Sequence, residues 1–582
     1  LSPSLRPGAP SMPFDFLHFR RPALCRSRFV ASVWAAFACL LLSGTSVAAP
    51  GQLDPTFGNG GIARSSIANS EDVANAIVQQ PDGDWIVAGS CYFSNPIRSY
   101  RPCLRRYSSS GVQDTSFGAS GVVVLEVTGL GHAFAAGVRP DGKIVVAGVC
   151  GSDNLAINTD ACVVQYLPSG AVDSNFGING QLKVGNGWAY ALALQDDGKV
   201  VAAGSCGGTR VIGQLLTPFD FCVWRVTLTG TMDAAFGSSG VVRVDFDGKD
   251  DVASGLAITT SGHIVVGGGC ADPVQTPTHS VFCALRLNPD GQLDTSFASS
   301  GKFALSLVGG VESVSAIRIQ TDSKVLIAGA CNGNQWCVVR LTAGGLLDST
   351  FAQGGVFRHP SFTGAAADLS IQLDGRILVV GACSSTEPTC QIRLNENGTP
   401  DGNYGLGGVT SLAIGVPAQN GFGAPSLALQ MDGKALVAAT CTVGVAQYEF
   451  CVARLDGEPF GVATCTLNAD ANQVVESGTD AVLVVRYLLG FRGEALSRGA
   501  LGAYPSRNRQ ALENYLASLN LDADGDGQSL AMTDGLLILR AMLGLTGDAL
   551  TAGAVNTAHP NARNAQQILT WIESTHGVAC LP

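Results

Sequence analysis

Short apolar segments rich in β-branched residues alternate with turns along most of this chain, and they recur in the same order. One stretch shows the pattern: GVVVLEV (121–127), two segments around a Pro-Asp-Gly turn (133–150), and ACVVQYLPSG (161–170). Val, Ile and Tyr favour pleated, half-buried positions, and Asp-Gly supplies the geometry of a hairpin. The pattern predicts four short strands in each copy.

Seven copies of this pattern follow one another at a period of about sixty residues, which is typical of a repeat architecture. Each copy has an Asp-x-x-Phe turn, and the aromatic residues of these turns are Phe57, Phe117, Phe176, Phe236, Phe297, Phe351 and Tyr404. Each copy also has a hairpin turn, which begins at Asp82, Asp141, Asp197, Ser261, Asp322, Asp374 or Asp432. Seven four-stranded copies predict a mainly β fold, a seven-bladed β-propeller over residues 49–456.

Two polar positions also recur in every copy. The turn aspartates are Asp54, Asp114, Asp173, Asp233, Asp294, Asp348 and Asp401. The second set is Arg106, Gln165, Arg225, Arg286, Arg340, Arg393 and Arg454. These residues could form a circle of ligand-binding charges, or the Asp could cap a turn while the Arg fastens neighbouring strands or blades. We favour the structural interpretation, because one binding site does not need seven copies of its residues.

Cysteines are paired in the sequence as regularly as the turns. Each copy contains one pair: Cys91 with Cys103, Cys150 with Cys162, Cys206 with Cys222, Cys270 with Cys283, Cys331 with Cys337, Cys383 with Cys390, and Cys441 with Cys451. Cys465 and Cys580 bracket the C-terminal region. An even count with local pairs in an exported chain indicates disulfides, with the two cysteines of a hairpin facing each other. Zinc sites or buried thiols are the alternative, but zinc needs four ligands and each copy supplies two cysteines without a matching His.

The N-terminal segment has the pattern of a signal peptide. Four arginines between residues 20 and 28 precede an apolar run over 29–43, and Ser46-Val47-Ala48 offers small residues for cleavage after Ala48. The run is short for a membrane anchor, which needs about 20 residues. Residues 1–48 are therefore expected to be removed, residues 1–11 to be upstream of a start at Met12, and the mature protein to be secreted, extracellular or periplasmic.

Acidic residues outnumber basic ones, 46 to 35, giving a formal net charge of −11. Such a surface repels phosphate backbones, which argues against nucleic acid as a partner. No segment after the N-terminal one is long and apolar enough to span a bilayer, so no membrane span is expected in the mature chain.

The copies resemble the delta-60 repeat family, a bacterial β-propeller repeat of exported proteins. The segments that carry the resemblance are LDPTFGNGG (53–61), PDGKIVVAG (140–148) and CVVRL (337–341). The resemblance covers about residues 51–456 and implies a propeller. It brings no catalytic residues with it, and the cysteine pair in each copy departs from the general pattern.

Apolar residues change to helical spacing after Cys451, in TDAVLVVRYLLGF (479–491) and TDGLLILRAMLGL (533–545). Two more helices are expected at 507–519 and 561–575. A polar loop precedes each of the first two segments. In the second loop Asp522, Asp524 and Asp526 stand at positions 1, 3 and 5, with Gly527 at position 6, an arrangement that suits a calcium ion. An acidic turn exposed to solvent is the alternative.

These loop–helix units, over about residues 465–580, resemble dockerin type I domains, which are related to the EF-hand. The resemblance implies that Ca²⁺ is bound by Asp522, Asp524, Asp526 and Asp534, and in the first loop by Asn468, Asp470, Asn472 and Asp480. The closing acids Asp480 and Asp534 lie at position 13 rather than 12, and an extra helix separates the two loops. A cohesin-type partner is therefore doubtful. Residues 457–582 are expected to form this helical module, closed by a bridge between Cys465 and Cys580.

Recognised catalytic motifs are missing: the chain has no G-x-S-x-G, H-E-x-x-H or P-loop sequence. Histidines after the N-terminal segment occupy no repeated position. The first hypothesis is a secreted, non-catalytic binding or scaffold protein for a glycan or an extracellular protein, with loops 207–221 and 271–282 as candidate contacts. The alternative is an extracellular propeller enzyme acting on polysaccharide, a hydrolase or lyase that uses the C-terminal module for attachment.

Overall fold

A computed structural model describes most of the chain after residue 49, and the predicted signal peptide lies outside the described residues. The described ranges are 50–67, 71–94, 99–127, 130–152, 159–211, 214–246, 248–271, 280–307, 312–332, 335–372, 374–384, 389–415, 423–430, 432–443, 447–457, 465–470, 475–501, 509–555, 559–577 and 580–581. Within them the protein is mainly β, with a smaller helical region at its C-terminal end.

The strands occupy the region that the repeats predict. They are β1 (Ile62–Ser65), β2 (Asp72–Gln79), β3 (Trp85–Phe93), β4 (Ser99–Tyr107), β5 (Val122–Val124), β6 (Gly131–Val138), β7 (Ile144–Ser152), β8 (Thr159–Tyr166), β9 (Gln181–Leu194), β10 (Val200–Cys206), β11 (Thr209–Val211), β12 (Gln214–Thr217), β13 (Asp220–Val226), β14 (Val241–Val244), β15 (Val252–Ile258), β16 (Ile264–Ala271), β17 (Ser280–Leu287), β18 (Lys302–Leu305), β19 (Ser313–Ile319), β20 (Val325–Cys331), β21 (Gln335–Leu341), β22 (Val356–Thr363), β23 (Ala366–Ile371), β24 (Ile377–Gly381), β25 (Thr389–Leu394), β26 (Val409–Leu412), β27 (Ser426–Leu429), β28 (Ala435–Thr442) and β29 (Tyr448–Leu455).

Four-stranded antiparallel sheets are the repeating element. Units 1, 4, 5 and 6 are the sheets β2–β5, β15–β18, β19–β22 and β23–β26. Units 2 and 3 share the long strand β9, which pairs with β8 through its first half and with β10 through its second half. Unit 2 is therefore β6, β7, β8 and early β9, and unit 3 is late β9, β10, β13 and β14. Unit 7 combines β27, β28 and β29 with β1, which comes from the other end of the strand region.

The strand that follows each turn aromatic closes the preceding sheet. After the turn at Phe117, β5 lies beside β4, with Val123 opposite Leu104. Residues 121–127 therefore end one sheet, and the hairpin 133–150 begins the next. Each sheet therefore begins one strand later than the corresponding sequence copy. The turn reverses the direction of the chain, so the strand after the turn pairs antiparallel with the strand before it.

All eight expected cysteine pairs are bonded. The Cα–Cα distances are 5.6–6.0 Å within the sheets and 4.9 Å for the C-terminal pair. The bonded pairs are Cys91 and Cys103, Cys150 and Cys162, Cys206 and Cys222, Cys270 and Cys283, Cys331 and Cys337, Cys383 and Cys390, Cys441 and Cys451, and Cys465 and Cys580.

The expectation that the two cysteines of a hairpin face each other is wrong in every unit. In unit 1, Cys91 faces Arg101, and Cys103 faces Gly89, two positions before Cys91. The bridges therefore run diagonally between strand neighbours on one face of the sheet, which are close enough for a disulfide. The same offset of two residues recurs, since Cys162 faces Gly148, Cys222 faces Gly204, Cys283 faces Gly268, Cys337 faces Gly329, Cys390 faces Gly381, and Cys451 faces Ala439.

The glycine that faces the second cysteine in six of the units is required for a reason separate from the disulfide. In unit 1 a Cβ on Gly89 would collide with the carbonyl oxygen of Val73, because the pairing of β2 with β3 shifts between Ala74 and Ala76. The same collision would occur at Gly148, Gly204, Gly268, Gly329 and Gly381. Each of these glycines faces a β-bulge in the first strand of its unit. Unit 7 has Ala439 at this position, and the pairing of β27 with β28 has no such shift.

The repeated Asp and Arg residues fasten the turns, as the structural interpretation predicts. In unit 5 the Nε of Arg340 donates to Asp348 at 2.8 Å, and the guanidinium lies 4.6 Å from the centre of the Phe351 ring. Its Nη1 donates to the carbonyl of Glu396 in the next unit at 2.6 Å. Burial raises the pKa of Asp348, but hydrogen bonds from Thr350 and the charge of Arg340 outweigh it and hold this pKa below its usual value.

The same guanidinium contacts recur around the strand region. Arg–Asp bonds and stacking on the turn aromatic are made by Arg106, Arg225, Arg286, Arg340, Arg393 and Arg454. The bond to a carbonyl of the next unit reaches Pro168, Pro289, Ala343 and Glu396, and from Arg454 it reaches Ser109. Arg454 thus links unit 7 to unit 1.

Unit 2 keeps this link with its residues exchanged. Here Gln165 stands where the other units have Arg, and Arg139 stands where five of them have Gln. Arg139 donates to Gln165 at 2.8 Å, and Gln165 donates to Asp173 at 2.8 Å. The guanidinium also donates to the carbonyl of Gly198 in unit 3. Both side chains are buried, so the positive charge has moved to the turn between β6 and β7 while the connection between units is retained.

Among the described residues, six helices and two π-helical turns follow the strands. The π-helical turns are Ser477–Ala481 and Ala531–Gly535. The helices are α1 (Val482–Leu488), α2 (Glu494–Ser497), α3 (Arg509–Ser518), α4 (Leu536–Met542), α5 (Gly547–Thr551) and α6 (Ala565–His576). They surround one apolar core that includes Leu483, Leu516, Leu537 and Ile568. The four expected helices are present, and α2 and α5 are short additions. No helix among the described residues is long and apolar enough to cross a bilayer.

Exchanging the two residues of unit 2 tests the fastening network. Arg139→Gln should lower the free energy of unfolding by about 1–3 kcal/mol, because buried Gln165 then lacks its charged partner. Gln165→Arg alone should also destabilise, since two guanidinium groups would be crowded together. The double variant should recover most of the loss, because it recreates the arrangement of unit 1. Urea denaturation of the four proteins measures this, and a double variant no more stable than Arg139→Gln would contradict the network.

Candidate metal centre

The second polar loop is shaped by its own carboxylates. Asp522 accepts hydrogen bonds from the backbone amides of Gly525 at 2.8 Å and Gly527 at 3.1 Å. Asp524 accepts from the amide of Asp526 at 3.1 Å. Gly525 and Gly527 have φ of +81° and +86°, a conformation that glycine adopts without strain. The glycines therefore permit the tight curvature that directs the Asp side chains to the inside of the loop.

Asp534 closes this loop from the start of the following helix. Its carboxylate accepts hydrogen bonds from the amides of Asp524 at 3.0 Å and Leu530 at 2.8 Å. The π-helical turn Ala531–Gly535 precedes α4, and in it the amide of Gly535 donates to the carbonyl of Leu530. A π-helical turn holds one residue more than an α-helical turn. It absorbs the extra residue that puts Asp534 at position 13, so this side chain still reaches the loop.

Asp522, Asp524 and Asp534 each place a carboxylate oxygen within 4.8 Å of the others. Asp524 and Asp534 are fully buried. Several carboxylate oxygens converging at this separation suit a hard cation such as Ca²⁺. The donor set therefore fits the ion, and Asp526, the fourth expected ligand, lies in the same loop. The metal assignment itself stays a prediction.

The first loop repeats this geometry. Asp480 accepts from the amides of Ala469 at 2.7 Å, Asp470 at 3.3 Å and Glu476 at 2.9 Å, as Asp534 does in the second loop. Burial and the nearby charge of Asp470 raise the pKa of Asp480 to about 6. A bound cation would favour the ionised form instead. Asn468 and Asp470 precede Asp480 as expected, whereas Asn472 lies outside the described residues.

The two loop–helix units are also alike beyond the loops. Arg486 of α1 donates to the carbonyls of Leu496 and Arg498. Arg540 of α4, at the equivalent position 54 residues later (486 and 540), donates to those of Leu550 and Ala552. Each short helix is thus fastened to the end of its loop-bearing helix. The disulfide between Cys465 and Cys580 joins the two ends of this region.

A second acidic group lies in unit 3, formed by Asp220, Asp245 and Asp251. Asp220 is paired with Arg243, and Asp251 accepts from the amide of Phe246 at 2.7 Å. These contacts hold the end of a sheet together. The group lies beside the candidate contact loop 207–221, which contains the hairpin of β11 and β12. Most of the other candidate loop, 271–282, lies outside the described residues.

Sequence analysis missed an aromatic group on units 1 to 3. Tyr100, His132, Phe134, Trp188 and Tyr190 lie in contact across three sheets. A signal was present, because units 4 and 5 carry small residues, Ser254 and Ser315, where units 2 and 3 carry Phe134 and Tyr190. Aligning the copies on their Gly-x-Cys segments reveals this difference.

The fold is mainly β and is built from repeated four-stranded, propeller-like sheets. A family model described as a domain of unknown function, DUF5122, beta-propeller, matches residues 80–117, 139–176, 260–297 and 320–351. These segments run from the hairpin turn to the turn aromatic in units 1, 2, 4 and 5. No curated protein matches this chain.

Several solved structures are similar at low identity. A catalytically inactive virginiamycin B lyase from Staphylococcus aureus with quinupristin is 10% identical, with 67% of this chain and 98% of that chain covered and a TM-score of 0.39. An ulvan lyase of polysaccharide lyase family PL25, bound to a glucuronate–sulfated rhamnose unit, is 13% identical, with 68% and 96% covered and a TM-score of 0.38. A glucose dehydrogenase is 12% identical, with 67% and 99% covered and a TM-score of 0.32.

Calcium titration of the full chain tests the metal centre. Asp534→Asn should weaken binding at the second loop by more than about tenfold, because it removes the charge that closes the loop. Asp548→Asn is the matched control, since Asp548 is exposed on α5. Isothermal titration calorimetry measures both variants. Equal affinity in Asp534→Asn and the control would contradict this assignment.

Proposed function

We propose that this protein is a secreted, non-catalytic binding or scaffold protein. Its seven units would close into a seven-bladed propeller over residues 49–456, followed by a Ca²⁺-binding helical module over 457–582. The observation that carries the proposal is the use of the repeated polar residues: the Asp and Arg of each unit fasten turns. Because the repeated polar side chains form contacts that hold the scaffold together, we assign ligand recognition to residues that are not repeated.

A turn-to-turn bond supports the closed circle of blades. The amide after each turn aromatic donates to a carbonyl of the next unit's turn. In chain order the donors are Gly58, Gly118, Gly177, Gly237, Ala298, Ala352 and Gly405, and the acceptors are Ser110, Ser169, Thr229, Asp290, Gly344, Asn397 and Pro50. Gly405 of unit 6 thus bonds to the N-terminal end of the strand region, and Gly58 of unit 7 bonds to unit 1. A neighbour on both sides of every unit is what closure requires, and these bonds support it.

Contacts between the first strands support the same arrangement. These strands are β2, β6, late β9, β15, β19, β23 and β27, and each contacts the next in this order. The series returns to its start, because β27 contacts β2 and the hydroxyl of Thr440 accepts from the amide of Ala74. Radial repetition of sheets in this way leaves only short, protected edges.

Secretion rests on the N-terminal pattern and on the cysteines. Disulfides persist in oxidising compartments, and a bridge in every unit fits an extracellular or periplasmic location. Each bridge closes a short loop and stabilises its hairpin by roughly 2–3 kcal/mol in the chain-entropy model. A protein stabilised in this way tolerates loops of different lengths, which suits a scaffold that presents a glycan- or protein-binding surface.

A glycan array combined with an extracellular protein panel tests the function. The full chain should bind at least one immobilised ligand reversibly, and mass spectrometry should recover that ligand unchanged after incubation. Shortened or unsaturated saccharides released by the purified protein would contradict a non-catalytic role and support the polysaccharide enzyme instead. Absence of binding on both panels would contradict the binding proposal.

A further inference from the structure

One position in the first strands breaks the symmetry of the repeats. The pairing of each of these strands with the next strand shifts at one residue, where a β-bulge lies. These residues are Asn75, Phe134, Tyr190, Ser254, Ser315 and Ala367, and each is half-buried. Because successive first strands contact one another, these side chains follow each other around the molecule. Only units 2 and 3 of these six place an aromatic ring there.

More aromatic rings adjoin these two, and we call the group the aromatic cluster: Tyr92, Tyr100, His132, Phe134, Trp188 and Tyr190. Its ring centres form an unbroken series from unit 1 to unit 3. Neighbouring centres are 5.2 Å apart for Tyr92 and Tyr100, 5.3 Å for Tyr100 and His132, and 5.4 Å for His132 and Phe134. Phe134 lies 5.0 Å from Tyr190 and 5.9 Å from Trp188.

Some rings of units 2 and 3 lie nearly parallel, whereas the plane of Phe134 is tilted by 34° from that of Trp188 and by 44° from that of Tyr190. The plane of His132 lies 21° from that of Phe134 and 20° from that of Trp188, and the planes of Trp188 and Tyr190 differ by 13°. Core rings of this protein are fully buried, as Trp85 and Trp224 are. Phe134, Trp188 and Tyr190 are instead half-buried. Packing alone does not require such rings where units 4 and 5 use serine.

The connection between units 2 and 3 is a single continuous strand. In β9 the outer strand of unit 2 continues directly into the first strand of unit 3 through Gly185, Asn186 and Gly187. In units 1 and 4, by contrast, the outer strands β5 and β18 end before the next first strands, β6 and β19, begin. Trp188 follows Gly187 immediately, so the shortest connection lies beside the largest ring of the cluster.

Hydrogen-bonding groups border the rings. The hydroxyl of Tyr100 donates to Glu71, and the Nδ1 of His132 lies 2.9 Å from the hydroxyl of Ser90. Asn75 lies 3.3 Å from the same hydroxyl and contacts the backbone carbonyl of Ala133 at 2.7 Å. Burial lowers the pKa of His132 to about 4, so its ring is neutral at physiological pH. Glu71 adds a negative charge to a chain that is already acidic.

We propose that the aromatic cluster binds a neutral saccharide, with a sugar face stacked on Trp188 and Tyr190. A pyranose presents C–H groups on its faces and hydroxyls on its edges. Trp188 and Tyr190 are half-buried, their planes differ by 13°, and amide, hydroxyl and carboxylate groups border the cluster, so the pair complements both features. The acidic surroundings disfavour sulfated and uronate-rich chains. This inference rests on the proposed binding function and names a ligand class and a site for it.

Titration calorimetry with defined probes tests the site. The full chain should bind at least one of cellohexaose, xylohexaose, maltohexaose and chitohexaose, and it should bind polygalacturonate and dextran sulfate more weakly. Trp188→Ala and Tyr190→Ala should each weaken the neutral probe at least about tenfold, as expected for central aromatic contacts. Trp188→Phe should retain part of the affinity, because a stacking surface remains.

Phe362→Ala provides a control outside the aromatic cluster. Phe362 is a half-buried aromatic residue of unit 5, stacked on His359, and its loss should leave saccharide affinity unchanged. Equal affinities in Trp188→Ala, Tyr190→Ala and the wild type would overturn the site. Binding restricted to anionic glycans or to proteins would overturn it as well while leaving the binding function standing. Only a chain that binds nothing on any panel would contradict both.

Discussion

In units 1, 2, 3, 4, 5 and 7, one guanidinium group bonds the unit to a carbonyl of its neighbour. In unit 5, Arg340 pairs with the turn Asp348 of its own unit, covers the aromatic ring of Phe351, and donates to a carbonyl of unit 6. A hydrogen bond to a charged donor is stronger than a neutral one, and it orients both turns. A single unit cannot satisfy these groups alone. The same requirement explains why the turn sequence is preserved while the loops between the cysteines differ in length.

Unit 2 shows that the bond to the next unit is kept even though the arginine that forms it stands at a different position. Arg139 and Gln165 exchange places relative to the other units, and the guanidinium still reaches unit 3. In unit 4, His263 stands where Lys143 of unit 2 and Lys324 of unit 5 approach the turn aspartates. The scaffold therefore accepts changes that keep a positive or hydrogen-bonding group between the turns.

Much of the scaffold could be predicted from the sequence, because it repeats. The period of the copies, their strand patterns, the cysteine pairs and the helical spacing after Cys451 can all be recognised in the sequence alone. The strand at which each sheet begins could not be predicted. The strand at Val122 pairs with the strand that precedes it, after a turn whose geometry the sequence does not specify. The diagonal placement of Cys91 and Cys103 depends on register, which spacing alone leaves open. The π-helical turn before α4 explains an extra residue that the loop pattern marks as a departure.

One of the two candidate sites could be predicted from the sequence and the other could not. The carboxylates of the second loop are close in sequence, so their convergence follows from local turn chemistry. The aromatic cluster is assembled from three units and depends on the β-bulges at Phe134 and Tyr190. Residues copied in each unit hold the scaffold, and recognition is proposed where one unit differs from the others. In a repeat protein, departures from the repeat are therefore more informative about binding than the repeat itself.

The distance between the two ends of the strand region tests the closed arrangement most directly. β1 pairs with β29, and Arg64 and Glu449 lie on these strands with their side chains 3.4 Å apart. Nitroxides introduced through unnatural amino acids at these two positions leave the native cysteines paired, and electron paramagnetic resonance measures their separation. Closure predicts a separation below about 20 Å, since paired strands are about 5 Å apart. Units stacked in an open row at about 10 Å each would place the labels on the order of 60 Å apart, and that result would contradict the account.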